Sequence, residues 1–543
     1  MKIALAQINP VVGDITGNAR LIAADIARAK ELGASLVVFP ELSMVGYPPR
    51  DLLVKYGFVA QNMQAVEDLA LQCRGIAALV GFVRPNPNKG GRALQNAAAL
   101  LKDGKVAHVH VKSLLPTYDV FDETRYFEPE KPGGCIELEG VRIGLSICED
   151  LWDAQALGRE LYGEDPIFAL KAAGAQIIIN MSASPYQVGK ERVREDLFLR
   201  QTSGHGVPIL YVNQVGGNDE LIFDGCSCAV SAQGKVFARA KSFEPDLLVV
   251  DLDSGTGRCE ESGAPIARLS AALKLGLGDY IHKCGFSKAV LGLSGGIDSA
   301  VVATLAADAL GPKNVLGIAM PSRFSSDHSL SDAKALADNL GIEYRVIPIE
   351  QMHAAFEHQL DEILAGGDEA RQNIQARIRG VIVMAASNAL GHMALATGNK
   401  SELSCGYCTL YGDMCGGLAP IGDVLKTQVY ELARQLNTEA PGERIPSGTF
   451  TKPPSAELKP DQTDQDKLPP YDVLDQILHR YVELEQDAGM IIAAGLDAAT
   501  VRRVIRMVDL AEYKRKQAAP VLKISPRAFG AGRRVPIAQR YTQ

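Results

Sequence analysis

The sequence predicts an α/β protein of two large domains, the first built on a mixed sheet and the second on a doubly wound parallel sheet. Three observations carry this. Through residues 1–253 short apolar runs alternate with amphipathic stretches; the polar, glycine-rich run SGTGRCEESGA (254–264) then breaks the pattern; and beyond it the chain resumes as strand, glycine loop, helix, strand, helix, strand. Dividing 543 residues by about 150 per domain suggests three or four units. The single break argues for two, at 1–260 and 265–543.

The apolar runs of the first half are KIALAQIN (2–9), ASLVVFPEL (34–42), GIAALVGFV (75–83), VRIGLSICED (141–150), AQIIINMSA (175–183), VPILYVNQVG (207–216) and LLVVDLD (247–253). Between the first two, Ala19, Ile22, Ile26 and Ala29 recur at steps of three and four and so share one helical face. LLKDGKVAHVHVK (100–112) and SCAVSAQGKVFARA (227–240) place Asp-Gly and Gln-Gly turns between strand-like runs. Those are hairpins, hence the mixed sheet. In the second half, KAVLGLSGG (288–296), NVLGIAMPS (314–322) and EYRVIPIE (343–350) are strands separated by helices, which requires right-handed parallel crossovers. The stretch 446–471, with six prolines, reads as a long surface loop that orders over ligand.

Lys and Arg total 56 against 64 Asp and Glu, a net charge of −8, which excludes a broad electrostatic footprint for nucleic acid or an anionic membrane. No stretch approaches 18 apolar residues, and Asn9, Pro10 and Asp14 interrupt the N-terminal run before a signal-peptide core can form. A cytoplasmic protein is expected. Its ten cysteines are scattered rather than framed for disulfides, so most should be reduced and buried. Cys405, Cys408 and Cys415 lack a fourth ligand at zinc spacing and read as lining residues.

LSGGIDSA (293–300) follows an apolar strand and opens a helix in which Val302, Leu305, Ala306 and Ala309 have helical spacing. Gly295 and Gly296 permit a tight turn and close backbone approach, while Ser294, Ser299 and the first helical N–H groups can bind phosphate oxygens. Asp298 would repel phosphate unless a divalent cation stands between them, which implies Mg2+. A plain glycine turn with Asp298 as helix cap is the alternative; the strand–loop–helix context favours phosphate. Neither GxxxxGK[ST] nor GxGxxG with a downstream acid is present.

This segment resembles the pyrophosphatase loop of ATP-dependent, adenylate-forming amide ligases, which implies that Leu293, Ser294, Gly295, Gly296, Ile297, Asp298, Ser299 and Ala300 contact ATP. NIQARIRG (373–380), TGNKSE (397–402), YGDMCGGLAPIGDVLKTQV (411–429), PSAELKPDQTDQDKLPPYDVLD (454–475) and EYKRKQ (512–517) are similar to the NAD synthetase family. Together they span most of 265–543. The resemblance implies that Thr397 and Lys426 meet ATP and that Asn373, Arg377, Glu402, Asp413 and Lys514 meet deamido-NAD. Glu402 joins Asp298 on the metal or contacts the dinucleotide, a division the residues leave open.

In the first half, Cys148 ends the apolar run GLSICED where the chain turns acidic, a position that suits either a nucleophile or an inert core thiol. FPEL and HVHVK place Glu41 and Lys112 at equally abrupt transitions. Carboxylate, ammonium and thiol suffice for amide cleavage: Glu41 moves the proton, Cys148 forms the thioester, and Lys112 stabilises the oxyanion. Their order resembles the nitrilase, or carbon-nitrogen hydrolase, superfamily over about residues 1–260, which implies an α-β-β-α sandwich and implies that Tyr118, Ser184 and Lys190 hold glutamine. His108 and His110 alternate along one strand and read as structural.

Read together, the resemblances imply that one half releases ammonia from glutamine and the other adenylates deamido-NAD with ATP, to be attacked by that ammonia. NAD is then a product rather than a cofactor, the partners are small molecules, and a homo-oligomer is implied. The alternatives are another glutamine-dependent adenylate-forming amide ligase, or a nucleotide sensor on a degenerate scaffold. The intact Glu41, Lys112 and Cys148 set argues against the sensor.

Overall fold

The computed structural model describes residues 1–460 and 462–541. The chain divides after Gly263 into two units.

In the first unit, seven strands form one sheet in the spatial order Thr256–Gly257, Asp246–Asp251, Lys2–Gln7, Leu36–Val38, Ala77–Pro85, Leu94–Lys102, Lys105–Val111. Six more form a second: Val236–Arg239, Cys228–Val230, Ile209–Asn213, Ile177–Ser182, Val141–Ile147, Ile136–Leu138. Alternate residues of each strand serve two cores. Ile3, Leu5, Leu36 and Val38 of one sheet meet Leu145, Ile147, Ile179 and Met181 of the other. Their neighbours Ala4, Ala6 and Val37 turn outward to Ile22, Ile26, Val66 and Leu69 on the helices Ile15–Glu31 and Tyr56–Ala70. On the far side, Ile178, Ile209 and Tyr211 meet Ile167, Leu170, Leu197 and Phe198 of the helices Pro166–Ala172 and Lys190–His205. The result is the α-β-β-α sandwich. Central strands buried on both faces explain why the sequence shows continuous apolar runs instead of alternation.

Pairing is mixed, as the hairpin signals predict. Lys2–Gln7, Leu36–Val38 and Ala77–Pro85 run parallel, while Ala77–Pro85 and Leu94–Lys102 pair antiparallel. At the predicted Asp-Gly turn, Asp103 and Gly104 take φ of 52° and 80°. Two consecutive positive φ values match the twist a two-residue hairpin demands.

The second unit holds a four-stranded parallel sheet, ordered Glu343–Val346, Val315–Ala319, Ala289–Gly292, Met393–Leu395. The chain builds to one side of Ala289–Gly292 and then returns to its other side through the helix Asp368–Leu390. Strand order therefore reverses beside Ala289–Gly292, and open α/β sheets form their ligand crevice beyond the carboxyl ends of the strands at such a reversal. Leu293–Asp298 and Ala396–Asn399 emerge there.

The stretch 446–471 departs from the free surface loop the prolines suggest. A helical turn, Ser447–Thr451, and a short 3-10 turn, Asp464–Asp466, interrupt it, and Thr449, Asp464 and Leu468 are buried. Side-chain bonds hold it down: Lys452 pairs with Glu457 at 2.7 Å, Ser329 Oγ donates to Glu457 at 2.8 Å, and Gln375 Nε2 donates to the Leu458 carbonyl at 2.9 Å. Leu468 joins an apolar cluster with Leu474, Ile477 and Val504.

Candidate functional site

Glu41, Lys112 and Cys148 each follow directly on a strand end or its first turn, and all three are buried. Lys112 Nζ lies 2.6 Å from Glu41 Oε1 and 2.9 Å from both oxygens of Glu123. Asn96 Nδ2 also donates to Glu41 Oε1, at 2.7 Å, and the Ala183 N–H donates to Glu41 Oε2 at 3.1 Å. Burial alone would depress the Lys112 ammonium, but Glu123 and Glu41 outweigh it and keep the ammonium charged. Burial pushes Glu123 up to about 7, against the pull of Lys112.

Cys148 sits at φ 46°, in the left-handed region that a residue with a Cβ rarely occupies. It opens the 3-10 turn Cys148–Leu151 straight off the strand Val141–Ile147. Asp150 braces that turn. Its Oδ2 accepts from the Ile147 N–H at 2.9 Å, and its Oδ1 accepts from the N–H groups of Ser113 and Leu114 at 2.9 and 2.7 Å. One buried carboxylate thus ties the segment after Lys112 to the turn that presents the thiol. Burial, and then Glu41, push the Cys148 thiol well above its ordinary range, with Lys112 opposing. The resting thiol is therefore protonated and needs a base.

Of the three residues expected to hold glutamine, Tyr118 donates to both oxygens of Glu149 at 3.0 Å, and Tyr162 donates to the same carboxylate at 2.8 Å. Ser184 is buried, its N–H bonded to Asn213 Oδ1 at 2.8 Å. Lys190 donates to the Pro185 carbonyl at 2.9 Å and lies 5.4 Å from the Trp152 ring centroid.

In the second unit a cavity of about 290 Å³ opens at the strand-order reversal. Leu293, Ser294, Gly296, Ile297, Asp298, Ser299, Thr397, Lys426, Glu402 and Asp413 line it. Gly295 and Ala300 do not: Gly295 turns the loop at φ 76°, where a Cβ would come within 2.4 Å of the Ser329 carbonyl oxygen, and Ala300 is buried in the helix. The loop is cross-braced, with the Gly296 N–H donating to Ser294 Oγ at 3.2 Å and Ser299 Oγ donating to the Gly296 carbonyl at 3.0 Å. Lys426 Nζ bonds Asp298 and lies 3.5 Å from Glu402. Burial first, then Asp298, push Glu402 up to about 8, with Lys426 opposing. Burial pushes Asp413 up to about 6, although it accepts the Thr409 N–H at 2.6 Å.

Asn373, Arg377 and Lys514 fall outside that lining. Asn373 accepts from Thr409 Oγ1 at 2.8 Å, Arg377 is exposed with Nε 3.3 Å from the Leu410 carbonyl, and Lys514 donates to the carbonyls of Gly406 and Cys408 at 2.7 and 2.8 Å. Among the described residues no cluster of three or more His, Cys, Asp or Glu is placed to hold a metal.

Residues 2–259 match the carbon-nitrogen hydrolase family and residues 269–518 the NAD synthase family. A glutamine-dependent NAD(+) synthetase from Synechocystis sp. is 49% identical over 99% of both chains. One from Thermotoga maritima is 42% identical over 100% of this chain and 99% of its own. The chain belongs to the glutamine-dependent NAD(+) synthetases. Among solved structures, that of the glutamine-dependent NAD+ synthetase from Acinetobacter baumannii in complex with adenosine diphosphate is similar at TM-score 0.78 and 37% identity, covering 99% of this chain and 98% of that one.

Glu123, Asp150, Arg379 and Asn399 also belong to the two sites, although the sequence does not single them out as site residues. Glu123 stands in the acid-rich run DETRYFEPE, where nothing in the pattern separates it from Glu128. Asp150 carried a signal, two residues from the candidate nucleophile. Arg379 lines the cavity, with Nε donating to the Met320 carbonyl at 3.1 Å, two residues along the helix from the Arg377 expected at deamido-NAD. Asn399 is buried between the two carboxylates of the cavity.

Proposed function

We propose that this chain makes NAD from deamido-NAD, ATP and glutamine, releasing AMP, pyrophosphate and glutamate. The observation that carries the reading is the pairing, in one chain, of a buried thiol–carboxylate–ammonium group with a cavity walled by a phosphate-type glycine loop.

In the first unit Cys148 Sγ attacks the carboxamide carbon of glutamine. Glu41 accepts the thiol proton and passes it to the leaving nitrogen, so ammonia departs and a thioester forms; water then releases glutamate. Lys112, charged between two carboxylates, stabilises the oxyanion. Tyr118, Ser184 and Lys190 hold the amino-acid end of the substrate. The protonated resting thiol fits this assignment, because Glu41 then has a proton to move.

In the second unit the 293–300 loop, Thr397 and Lys426 hold ATP while the nicotinate carboxylate of deamido-NAD attacks the α-phosphorus and pyrophosphate leaves. Ammonia then displaces AMP from the acyl adenylate. Asp298 and Glu402 would hold Mg2+, which when bound neutralises phosphate charge. Two carboxylates without a third protein ligand suit that ion, which keeps water and phosphate oxygens in its shell. Asp413 borders the reacting carboxylate.

Ammonia is mostly ammonium at neutral pH and cannot attack in that form, so we propose that it passes internally between the two chemistries. We also propose a homo-oligomer. Asn373 and Arg377 lie off the cavity, and one turn beyond Arg377 the Val381 side chain is 68% exposed, so dinucleotide contact by these residues fits a site completed by a second copy. The ten cysteines are scattered along the sequence rather than framed for disulfides, which supports a reducing, cytoplasmic setting.

The test is Cys148→Ala. Glutamine-driven NAD formation should be lost and ammonium-driven formation retained; loss of both, in a protein that stays folded, contradicts the two-site reading.

A further inference from the structure

Asn399 stands between the strand Met393–Leu395 and the helix Lys400–Cys405, wholly buried beside the cavity. Three of its polar groups are spent on the two carboxylates assigned to the cation or on the Glu402 backbone. Nδ2 donates to Asp298 Oδ1 at 3.0 Å, the backbone N–H donates to Glu402 Oε2 at 3.3 Å, and Oδ1 accepts the Glu402 N–H at 3.0 Å. Asp298 comes from the first helix after the glycine loop, a hundred residues earlier in the chain, so nothing local sets its rotamer relative to Glu402. Lys426 pulls on the remaining oxygen of each carboxylate: it bonds Asp298 Oδ2 and lies 3.5 Å from Glu402 Oε1. Each carboxylate is thereby held at one oxygen by Asn399 and at the other by Lys426, and each oxygen keeps a second lone pair for a cation.

We propose that Asn399 is a positioning residue for the cation site: it holds Asp298 and Glu402 in the one relative orientation from which both offer oxygen to a divalent cation. The inference rests on the reading of those two carboxylates as cation ligands. Donors that orient ligating carboxylates typically govern metal affinity by about 10- to 100-fold. A simple helix cap would not, because a cap needs only Oδ1, and serine supplies an equivalent acceptor.

Asn399→Ser separates these roles, keeping a cap acceptor for the Glu402 N–H while losing the group that reaches Asp298. In the full-length protein, Mn2+ binding is titrated by electron paramagnetic resonance with α,β-methylene-ATP present, alongside thermal unfolding. N399S should unfold within a few degrees of the unmodified protein yet bind Mn2+ about 10- to 100-fold more weakly, and Asp298→Asn should also weaken binding. Unchanged Mn2+ affinity in N399S with weakened affinity in D298N overturns the positioning role and leaves the cation assignment standing. Unchanged affinity in D298N overturns the assignment itself. Should N399S unfold early, Asn399→Thr, another capping side chain too short to reach Asp298, is measured instead and read by the same criteria.

Discussion

Lys112 is the residue whose removal tests the electrostatics of the first unit most sharply. Its ammonium lies within 2.9 Å of Glu123 and 2.6 Å of Glu41, and no side chain of the three is more than 5% exposed. Lys112→Met keeps most of the stem volume and deletes the charge, leaving two carboxylates in a dry site with no cation between them. Breaking a buried pair from one side costs about 3–5 kcal/mol. The cost depends on pH with a definite sign. Glu123 is raised to about 7 even beside Lys112, chiefly by burial, and without the ammonium it rises further. At pH 5.5 the variant site therefore takes up a proton, and the penalty falls to about 1 kcal/mol, the value of a hydrogen bond lost. At pH 8.5 the unfolded chain has long released that proton, and the full penalty applies. Trp152 is the chain's only tryptophan and lies in the first unit, so its fluorescence during urea unfolding reports that unit alone. K112M should lose about 3–5 kcal/mol at pH 8.5, and adding Glu123→Gln should recover much of it without restoring glutamate release. A loss under about 1 kcal/mol at pH 8.5, or an equal loss at both pH values, refutes the argument that the ammonium compensates buried carboxylates.

Three further outcomes are expected. Asp298→Ala should reduce ATP-dependent NAD formation about 100-fold, by loss of the proposed cation ligand, while glutamate release from glutamine continues; synthesis retained within tenfold contradicts its role. His110 is buried and depressed to about 4, so it is neutral in the folded protein while the unfolded chain takes up a proton near 6.5. Its contribution is complete above pH 6.5 and is lost as pH falls toward 4, so His110→Gln should shrink the stability drop between pH 7 and 4.5 by about 2 kcal/mol in Trp152-monitored urea melts. Arg379→Met should weaken ATP binding about tenfold by calorimetry, the loss of one charge-assisted hydrogen bond, while Arg377→Met should leave ATP affinity unchanged, because Arg377 lies outside the cavity lining.

The two candidate sites were legible because their residues sit at transitions that sequence displays. Glu41, Lys112 and Cys148 end apolar runs, and Leu293–Ala300 couples a strand to a helix through paired glycines. Those patterns are local, and strand ends and helix starts are set by neighbours along the chain. They predicted mixed strands in the first unit, parallel strands in the second, the Asp103–Gly104 hairpin and the glycine-loop side of the cavity wall. What they could not carry is pairing across distance. Glu123 contacts Lys112 through a loop with no period, and Asn399 meets Asp298 from 101 residues away.

The sequence by itself thus determined the α/β class, the division near residue 260 and the positions of the candidate thiol and the glycine loop, since apolar periodicity and glycine turns act over a few residues. Only the tertiary structure decided which charges share a site. It put one ammonium between two carboxylates beside Cys148, turned Arg379 rather than Arg377 to the cavity, and folded residues 452–458 of the proline-rich stretch into its wall. The reason is physical: a buried charge is tolerable only beside its partner, and partners from distant segments meet only when sheets close and crossovers return.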